Sequence, residues 1–329
     1  MSSARKTAFV TGGTGFIGSH LTEALLRRGY KEVRCLIRSK PKWLAGQDIV
    51  PVRATLMDQS AIAEAVADVD YVYHLGGVTR APTWDALYEG NVTATLNLLR
   101  AVELANPSVR RVLITSTLAV VGRTSGRTAD ESTPRDPVSR YGQSKAAMED
   151  AVWKQYGLRL PVTMIRPSSV YGPRDRDIYT FFQSVNRGIC PMLRGDRGLS
   201  LVHASDLVRG IIDAAESPAA SGETYFLGSD QRVSWSELRR AATTTLQRRA
   251  FPVYLPRTLV PFLGAASELL GRMLGRYPPL NREKAAEILH AAKICSSAKA
   301  GRDFGYHQKV PLRSGVAATV AWYRSKGWL

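Results

Sequence analysis

The chain has 329 residues, 44% of them hydrophobic and 22% charged, enough to bury a substantial core and outside the range of disordered, collagen-like and disulfide-scaffold compositions. At about 150 residues per domain, the length corresponds to two domains. The 45 basic and 28 acidic residues give a formal charge of +17, but the basic ones are scattered in pairs such as Arg27-Arg28, Arg110-Arg111, Arg239-Arg240 and Arg248-Arg249. That is the pattern of a solvated surface rather than of a nucleic-acid site, with an anionic partner surface as the alternative.

In chain order, Met1 to Lys6 is polar and lacks the charged, apolar and small-residue succession of a signal peptide. Strand-length apolar runs follow at residues 7–11, 33–37, 49–53, 71–75, 112–115 and 162–166. They alternate with helical spacings over 17–28, 61–67, 84–105 and 139–155. This alternation predicts a doubly wound α/β domain with a parallel sheet covered on both faces. Beyond Pro167 the pattern is less regular, with helices expected at 205–215, 234–246, 257–274 and 313–326; Ser234 with Glu237 makes a capping-box start. The expected division is a sheet domain over 1–170 and a smaller, mostly helical substrate lobe over 171–329, some segments of which return to the sheet.

The most apolar late stretch, 258–274, is interrupted by Glu268 and Arg272 and falls short of the ~20 residues of a membrane span. Three distant cysteines, Cys35, Cys190 and Cys295, form no C-x-x-C and leave one unpaired, which fits a reducing, cytoplasmic setting. The five histidines show no metal spacing, so no metal is expected. No G-x-S-x-G elbow supports hydrolase chemistry.

The first strand runs into Thr11-Gly12-Gly13-Thr14-Gly15-Phe16-Ile17-Gly18, and a helical pattern follows at once. Gly12 allows the tight turn, Gly15 lets backbone approach a pyrophosphate, and Gly18 lets helix and strand pack closely. The helix N-terminus supplies free N–H groups and a positive dipole end. Strand before and helix after mark a Rossmann-type dinucleotide site, and no Lys-Ser/Thr follows to make a Walker-type one. At the end of the second strand, where an acidic residue would bind a ribose 2′-hydroxyl, stands Arg38, with Lys40 and Lys42 nearby. This favours NADP(H), with NAD(H) possible; the alternative is a solvated strand-end charge.

Tyr141 and Lys145 lie one helical turn apart on one face. A phenol with a pKa of ~10 is a poor base at neutral pH, and a nearby ammonium favours its ionised form. Such a pair can exchange a proton with an alcohol or carbonyl while a nicotinamide exchanges hydride.

In these motifs the chain resembles the extended short-chain dehydrogenase/reductase family, the NAD-dependent epimerase/dehydratase group. The matching stretches are Thr11 to Gly18, Tyr73-His74-Leu75-Gly76-Gly77, Asn91-Val92-Thr93, Thr115-Ser116-Thr117 leading to Gly122, Tyr141 to Lys145, Arg166 to Pro173, and Val202 to Leu207. The resemblance implies Tyr141 as acid/base, Lys145 as the residue that holds the nicotinamide ribose and tunes the phenol, and Thr117, with Ser116 as fallback, as the hydroxyl that polarises the reacting oxygen. It implies that Leu75 and Gly76, with His74, line the cofactor cleft and that Pro167 and Ser169 face the nicotinamide end. For His74 a satisfied core role is equally open. Asp58 matches the position that contacts the adenine amino group, but capping the next helix accounts for it as well. Asn91 either braces the active-site strands or is an ordinary helix position, and Asp206, at a helix start, is read as structural.

Two departures tilt away from nucleotide-sugar members: Ser169 where those often have asparagine, and Val120-Val121-Gly122 where many have tyrosine before the glycine. Both point to the branch resembling dihydroflavonol reductases and 3β-hydroxysteroid dehydrogenases. The apolar residues from Leu259 to Leu274 would cover a hydrophobic substrate, pack as core or dimer surface, or rest on a membrane. The expected function is hydride transfer between a nicotinamide and a secondary alcohol or ketone of an apolar small-molecule substrate. The alternatives are a nucleotide-sugar epimerase or dehydratase and a non-catalytic dinucleotide sensor. The resemblance also implies a homodimer through the helices at 84–105 and 139–155.

Overall fold

The computed structural model describes residues 6–124, 126–193, 195, 198–229, 231–274, 278 and 280–329, with the backbone alone of Arg272. Strands β1 (Thr7–Thr11), β2 (Glu32–Leu36), β3 (Val50–Val52), β4 (Tyr71–His74), β5 (Arg111–Thr115) and β6 (Val162–Pro167) alternate with helices α1 (Phe16–Arg27), α2 (Gln59–Val66), α3 (Trp84–Tyr88), α4 (Ala94–Ala105) and α5 (Arg140–Tyr156). Then follow β7 (Ser169–Tyr171), α6 (Tyr179–Asn186), β8 (Ile189–Leu193), β9 (Leu199–His203), α7 (Ala204–Glu216), β10 (Glu223–Leu227), β11 (Arg232–Val233), α8 (Trp235–Leu246) and β12 (Phe251–Leu255). Four helices close the chain: α9 (Val260–Met273), α10 (Arg282–His290), α11 (Ala298–Phe304) and α12 (Leu312–Ser325).

Seven strands make one parallel sheet in the order β10-β6-β5-β4-β1-β2-β3, a Rossmann-type arrangement in which the order reverses beside β1. The strands read as continuous apolar runs because both faces are buried. Ala8, Val10 and Leu113 point to the side covered by Leu21 and Leu25 of α1 and Leu207 and Ile211 of α7. Phe9, Val112 and Ile114, one residue out of phase, point to Leu98 and Val102 of α4 and Met148 and Val152 of α5. The period of two thus sorts one strand's side chains between two cores.

The six expected strands stand within one residue at either end of the observed ones. The seventh, β10, comes from the later half and pairs with β6. The later half also holds two small sheets, β11-β9-β7 and β12-β8, where mainly helices were expected. The stretch 84–105 is interrupted by a π-turn at Glu89–Thr93, an irregularity often found at functional sites.

Candidate active site

Parallel strands bring the β1, β4, β5 and β6 carboxyl ends to one edge, where α/β sheets bind ligands. Gly12 has φ +73°, and a Cβ there would lie 2.7 Å from the Leu75 and Gly76 backbones. A Cβ on Gly18 would lie 2.1 Å from the Gly12 carbonyl oxygen, so only glycine fits either position. Helix α1 starts after Gly15 with no side-chain cap and no acidic residue in its first turn. The Gly15 N–H closes the turn by donating to the Gly12 carbonyl at 2.9 Å, which leaves the N–H groups of Thr14, Phe16 and Ile17, with the helix dipole, without a competing carboxylate. A cradle that any Cβ would fill, at an uncapped helix start, fits the pyrophosphate of a dinucleotide.

The register that sets Val10 opposite Cys35 brings Arg38, three residues further on, to the same edge as the glycine turn. Arg38 is exposed and has no ion pair among the described residues. Asp58 accepts the Ala61 N–H at 3.1 Å as the N-cap of α2, which realises the capping account of that residue.

Fully buried His74 belongs to a hydrogen-bonded chain with one direction. The Thr95 hydroxyl donates to the Asn91 carbonyl at 2.6 Å, so it accepts from His74 Nε2–H at 2.9 Å. The Thr11 hydroxyl then donates to His74 Nδ1 at 2.6 Å and accepts the Gly76 N–H at 3.0 Å. Burial, with the Lys145 charge adding to it, holds the imidazole down to about 3, so it stays neutral and keeps this tautomer. Of the two accounts open for His74, the satisfied core histidine is the one observed. What the network fixes is the Gly76 backbone against the glycine turn. Asn91, inside the π-turn, accepts the Val78 N–H at 2.8 Å and donates to the Val78 carbonyl and to Ser144 Oγ, each at 2.9 Å. It therefore braces the segment after β4 against α5.

Ser139 caps α5, its hydroxyl accepting the Gly142 N–H at 3.1 Å, and so sets the phase that turns Tyr141 and Lys145 to the cleft. The Tyr141 phenol and the Thr117 hydroxyl line the same cavity. Burial pushes the phenol up to about 12, against the lowering effect of Thr117 and with a smaller push from Glu287. Thr117 follows β5, and its hydroxyl also accepts the Ala119 N–H at 3.2 Å. The fallback, Ser116, is buried with its hydroxyl unpartnered.

Lys145 is 4% exposed. Burial brings its amine down to about 8, against the raising effect of Glu149. The amine lies 3.3 Å from the Met148 sulfur and 3.8 Å from where a Gly77 Cβ would sit, which joins the reactive pair to the Gly76 side of the cofactor cleft.

Beside Thr117 and Tyr141 opens a cavity of about 760 Å³ whose walls include Pro167, Ser169, Leu118, Phe181, Leu255 and Leu263. Pro167 ends β6 and Ser169 begins β7, so both line the cavity with Thr117 and Tyr141. The far wall comes from α9 and α10. Helix α10 is tied to the start of α5 by Ser139 donating to Glu287 at 2.6 Å and by an Arg140–Glu283 ion pair. Glu287 was missed from sequence because only the fold brings it to Tyr141. Glu149, by contrast, was within reach: Tyr141, Lys145 and Glu149 recur every four residues. Fully buried, it makes a two-pronged pair with Arg166. Asp206 is structural, as expected: 2% exposed, it accepts the Lys309 and Val310 N–H groups at 3.1 and 2.8 Å.

Among the described residues, no group of three or more His, Cys, Asp or Glu is arranged to hold a metal ion. Likewise no helix is long and apolar enough to cross a membrane.

Residues 8–228 match the NAD dependent epimerase/dehydratase family. Over 332 residues the chain is 26% identical to a ceramide reductase of Caulobacter vibrioides, covering 100% of this chain and 98% of that protein. It is 28% identical to a 3-beta-hydroxysteroid dehydrogenase of Mycolicibacterium neoaurum, over 95% of this chain and 90% of that protein. The crystal structure of gox2253 superposes with a TM-score of 0.81 at 27% identity, covering 98% of this chain and 99% of the other. With the glycine turn, the Thr117–Tyr141–Lys145 group and the family match in one place, the chain belongs to the NAD-dependent epimerase/dehydratase family of extended short-chain dehydrogenases/reductases.

Proposed function

We propose that the protein is an NADP(H)-preferring oxidoreductase that reduces a ketone, or oxidises the corresponding secondary alcohol, on an apolar substrate. The observation that carries this is the cavity: about 760 Å³, with mostly apolar walls and the Thr117 and Tyr141 hydroxyls at one side. That is the shape of a site that holds a hydrophobic body and orients it by a few polar groups. Relatives named for ceramide reduction and steroid dehydrogenation fit such a substrate.

When bound, the nicotinamide supplies or accepts the hydride. The chain's own groups do the rest. The Gly12–Gly18 turn and α1 would hold the pyrophosphate, Arg38 a 2′-phosphate, and Lys145 the ribose hydroxyls. Thr117 donates a hydrogen bond to the carbonyl oxygen, which draws negative charge onto it. A phenol held at about 12 keeps its proton at neutral pH, so Tyr141 is prepared to give that proton to the oxygen as the alcohol forms. The same pKa makes the reverse direction slower at neutral pH, because oxidation needs the phenolate.

An epimerase would return the nicotinamide unchanged, whereas this reaction consumes it. The test is NADPH absorbance with hydrophobic ketones, for the native protein and Tyr141→Phe. Net oxidation is expected, falling by about 10²- to 10⁴-fold in the variant with coenzyme binding kept. Unchanged turnover in Tyr141→Phe would end the proposed mechanism.

A further inference from the structure

Helix α9 shows its apolar residues to the outside. Leu259, Phe262, Leu263, Ala266, Leu269, Leu270, Met273 and Leu274 recur at steps of three and four, which is one stripe of a helix. Phe262, Leu269, Leu270 and Met273 are 72, 62, 60 and 77% exposed. The opposite side packs on α10: Val260 is buried, and a Cβ on Gly264 would lie 2.8 Å from the Asn281 carbonyl oxygen. Strand β12, just before α9, adds Phe251 and Tyr254, and β8 beside it adds Ile189, all more than half exposed. Large apolar side chains left exposed along one helix stripe, with more on the strand that precedes it, mark an interaction site.

Charge selects the occupant. Ile189 pairs with Phe251, so the residues just before them, Arg187 and Arg248-Arg249, meet at one end of the two-stranded sheet. All three are exposed, and none carries an ion pair among the described residues. Residues 248–276 contain five arginines and one acidic residue, Glu268. A second copy would bring the same arginines and a formal charge of +17 to the contact, setting like against like. An anionic lipid surface takes the apolar stripe into its acyl boundary and the arginines at its headgroups.

We propose that α9 and the β8–β12 edge form a docking surface for an anionic membrane, and that the active-site cavity opens toward it. Leu255 and Leu263 carry the second half of this inference, since Leu263 belongs to the exposed stripe and both line the cavity. A lipid-like substrate could thus pass from bilayer to Tyr141 along continuous apolar wall; that clause rests on the function proposed above, the docking itself does not.

The test is co-sedimentation of the full chain with vesicles of phosphatidylglycerol and phosphatidylcholine, and with phosphatidylcholine alone. Binding to the anionic vesicles is expected to be about tenfold or more tighter and to weaken with salt. The double variant Phe262→Ser/Leu270→Ser should lose about tenfold or more, with unchanged circular dichroism and unchanged hydride transfer to a water-soluble ketone. A second variant, Arg248→Glu/Arg249→Glu, should abolish the preference for anionic lipid. Native protein that stays in the supernatant, or variants that sediment like the native, would overturn the docking surface. So would sedimentation velocity without lipid in which the native self-associates and the Phe262/Leu270 variant does not, since the stripe would then belong to a second copy. Vesicle binding without hydride transfer to any ketone would leave the docking intact and remove the proposed function instead.

Discussion

Replacing Lys145 by methionine is expected to make the protein more stable and inactive at once. Burial lowers the amine from 10.5 to about 8, so at neutral pH the folded chain holds an ammonium that the unfolded chain would hold more easily. The shift corresponds to about 3 kcal/mol at pH 7. The sign follows from proton counting. Between about 8 and 10.5 the unfolded state binds the proton and the folded state does not, so the penalty is full below about 8 and fades as pH rises to 10.5. Methionine fills a similar volume without a charge, so Lys145→Met should gain about 3 kcal/mol at pH 7, or about 4 °C in Tm for a chain of this length. At pH 10 the gain should shrink to about 1 kcal/mol. Urea unfolding of both proteins at the two pH values measures it. An equal difference at both pH values, or a less stable variant at pH 7, would show that the ammonium is not the destabilised group the geometry makes it.

Two further outcomes test the cofactor cleft. Arg38→Ser should weaken NADPH binding by about 10- to 100-fold, the loss of charge-assisted hydrogen bonds, and leave NADH nearly unchanged; fluorescence titration of both coenzymes decides it, and an unchanged NADPH affinity would assign Arg38 to solvent. Gly18→Ala sets a Cβ 2.1 Å from the Gly12 carbonyl oxygen, so α1 must move off the turn; binding of either coenzyme should be lost in calorimetry, and retained affinity would show that the turn does not grip the pyrophosphate.

Much of this was legible in the chain because the signals are local. Residues 7–11 and 71–75 are apolar runs bounded by turns, and they fold as β1 and β4 because both their faces are covered. The glycine spacing of 12, 15 and 18 fixes one backbone path, and Tyr141 with Lys145 is set by the helical repeat alone. What escaped depends on distance along the chain. Strand β10 is five residues, Glu223–Leu227, within a stretch of helical neighbours, and it becomes a strand only where the β6 edge offers hydrogen bonds. Glu287 reaches Tyr141 across a separation of nearly half the chain. The stripe of α9 was visible as apolar spacing, but spacing has no sign: the same pattern serves a core and a bare surface, and only packing of Gly264 against Asn281 tells which side faces in.

The state of Lys145 ties stability to binding. Glu149, one turn away and fully buried, would be the natural counter-ion, but Arg166 meets its carboxylate at 3.0 Å and Arg135 approaches to 3.5 Å. Two guanidiniums therefore compete for one carboxylate, and the field left for Lys145 only partly offsets its burial. Its near acceptor is a thioether at 3.3 Å, a weak partner for a group with three hydrogens to donate. An ammonium so placed is under-solvated until hydroxyl oxygens arrive, and the Gly77 side of the cleft is where they would come from. Had Glu149 been free to pair with it, the lysine would be more stable and its donors already taken. The buried Arg166–Glu149 pair thus leaves the amine available for the ribose hydroxyls of the function proposed above, whose binding would return the free energy that burial of Lys145 withholds from folding.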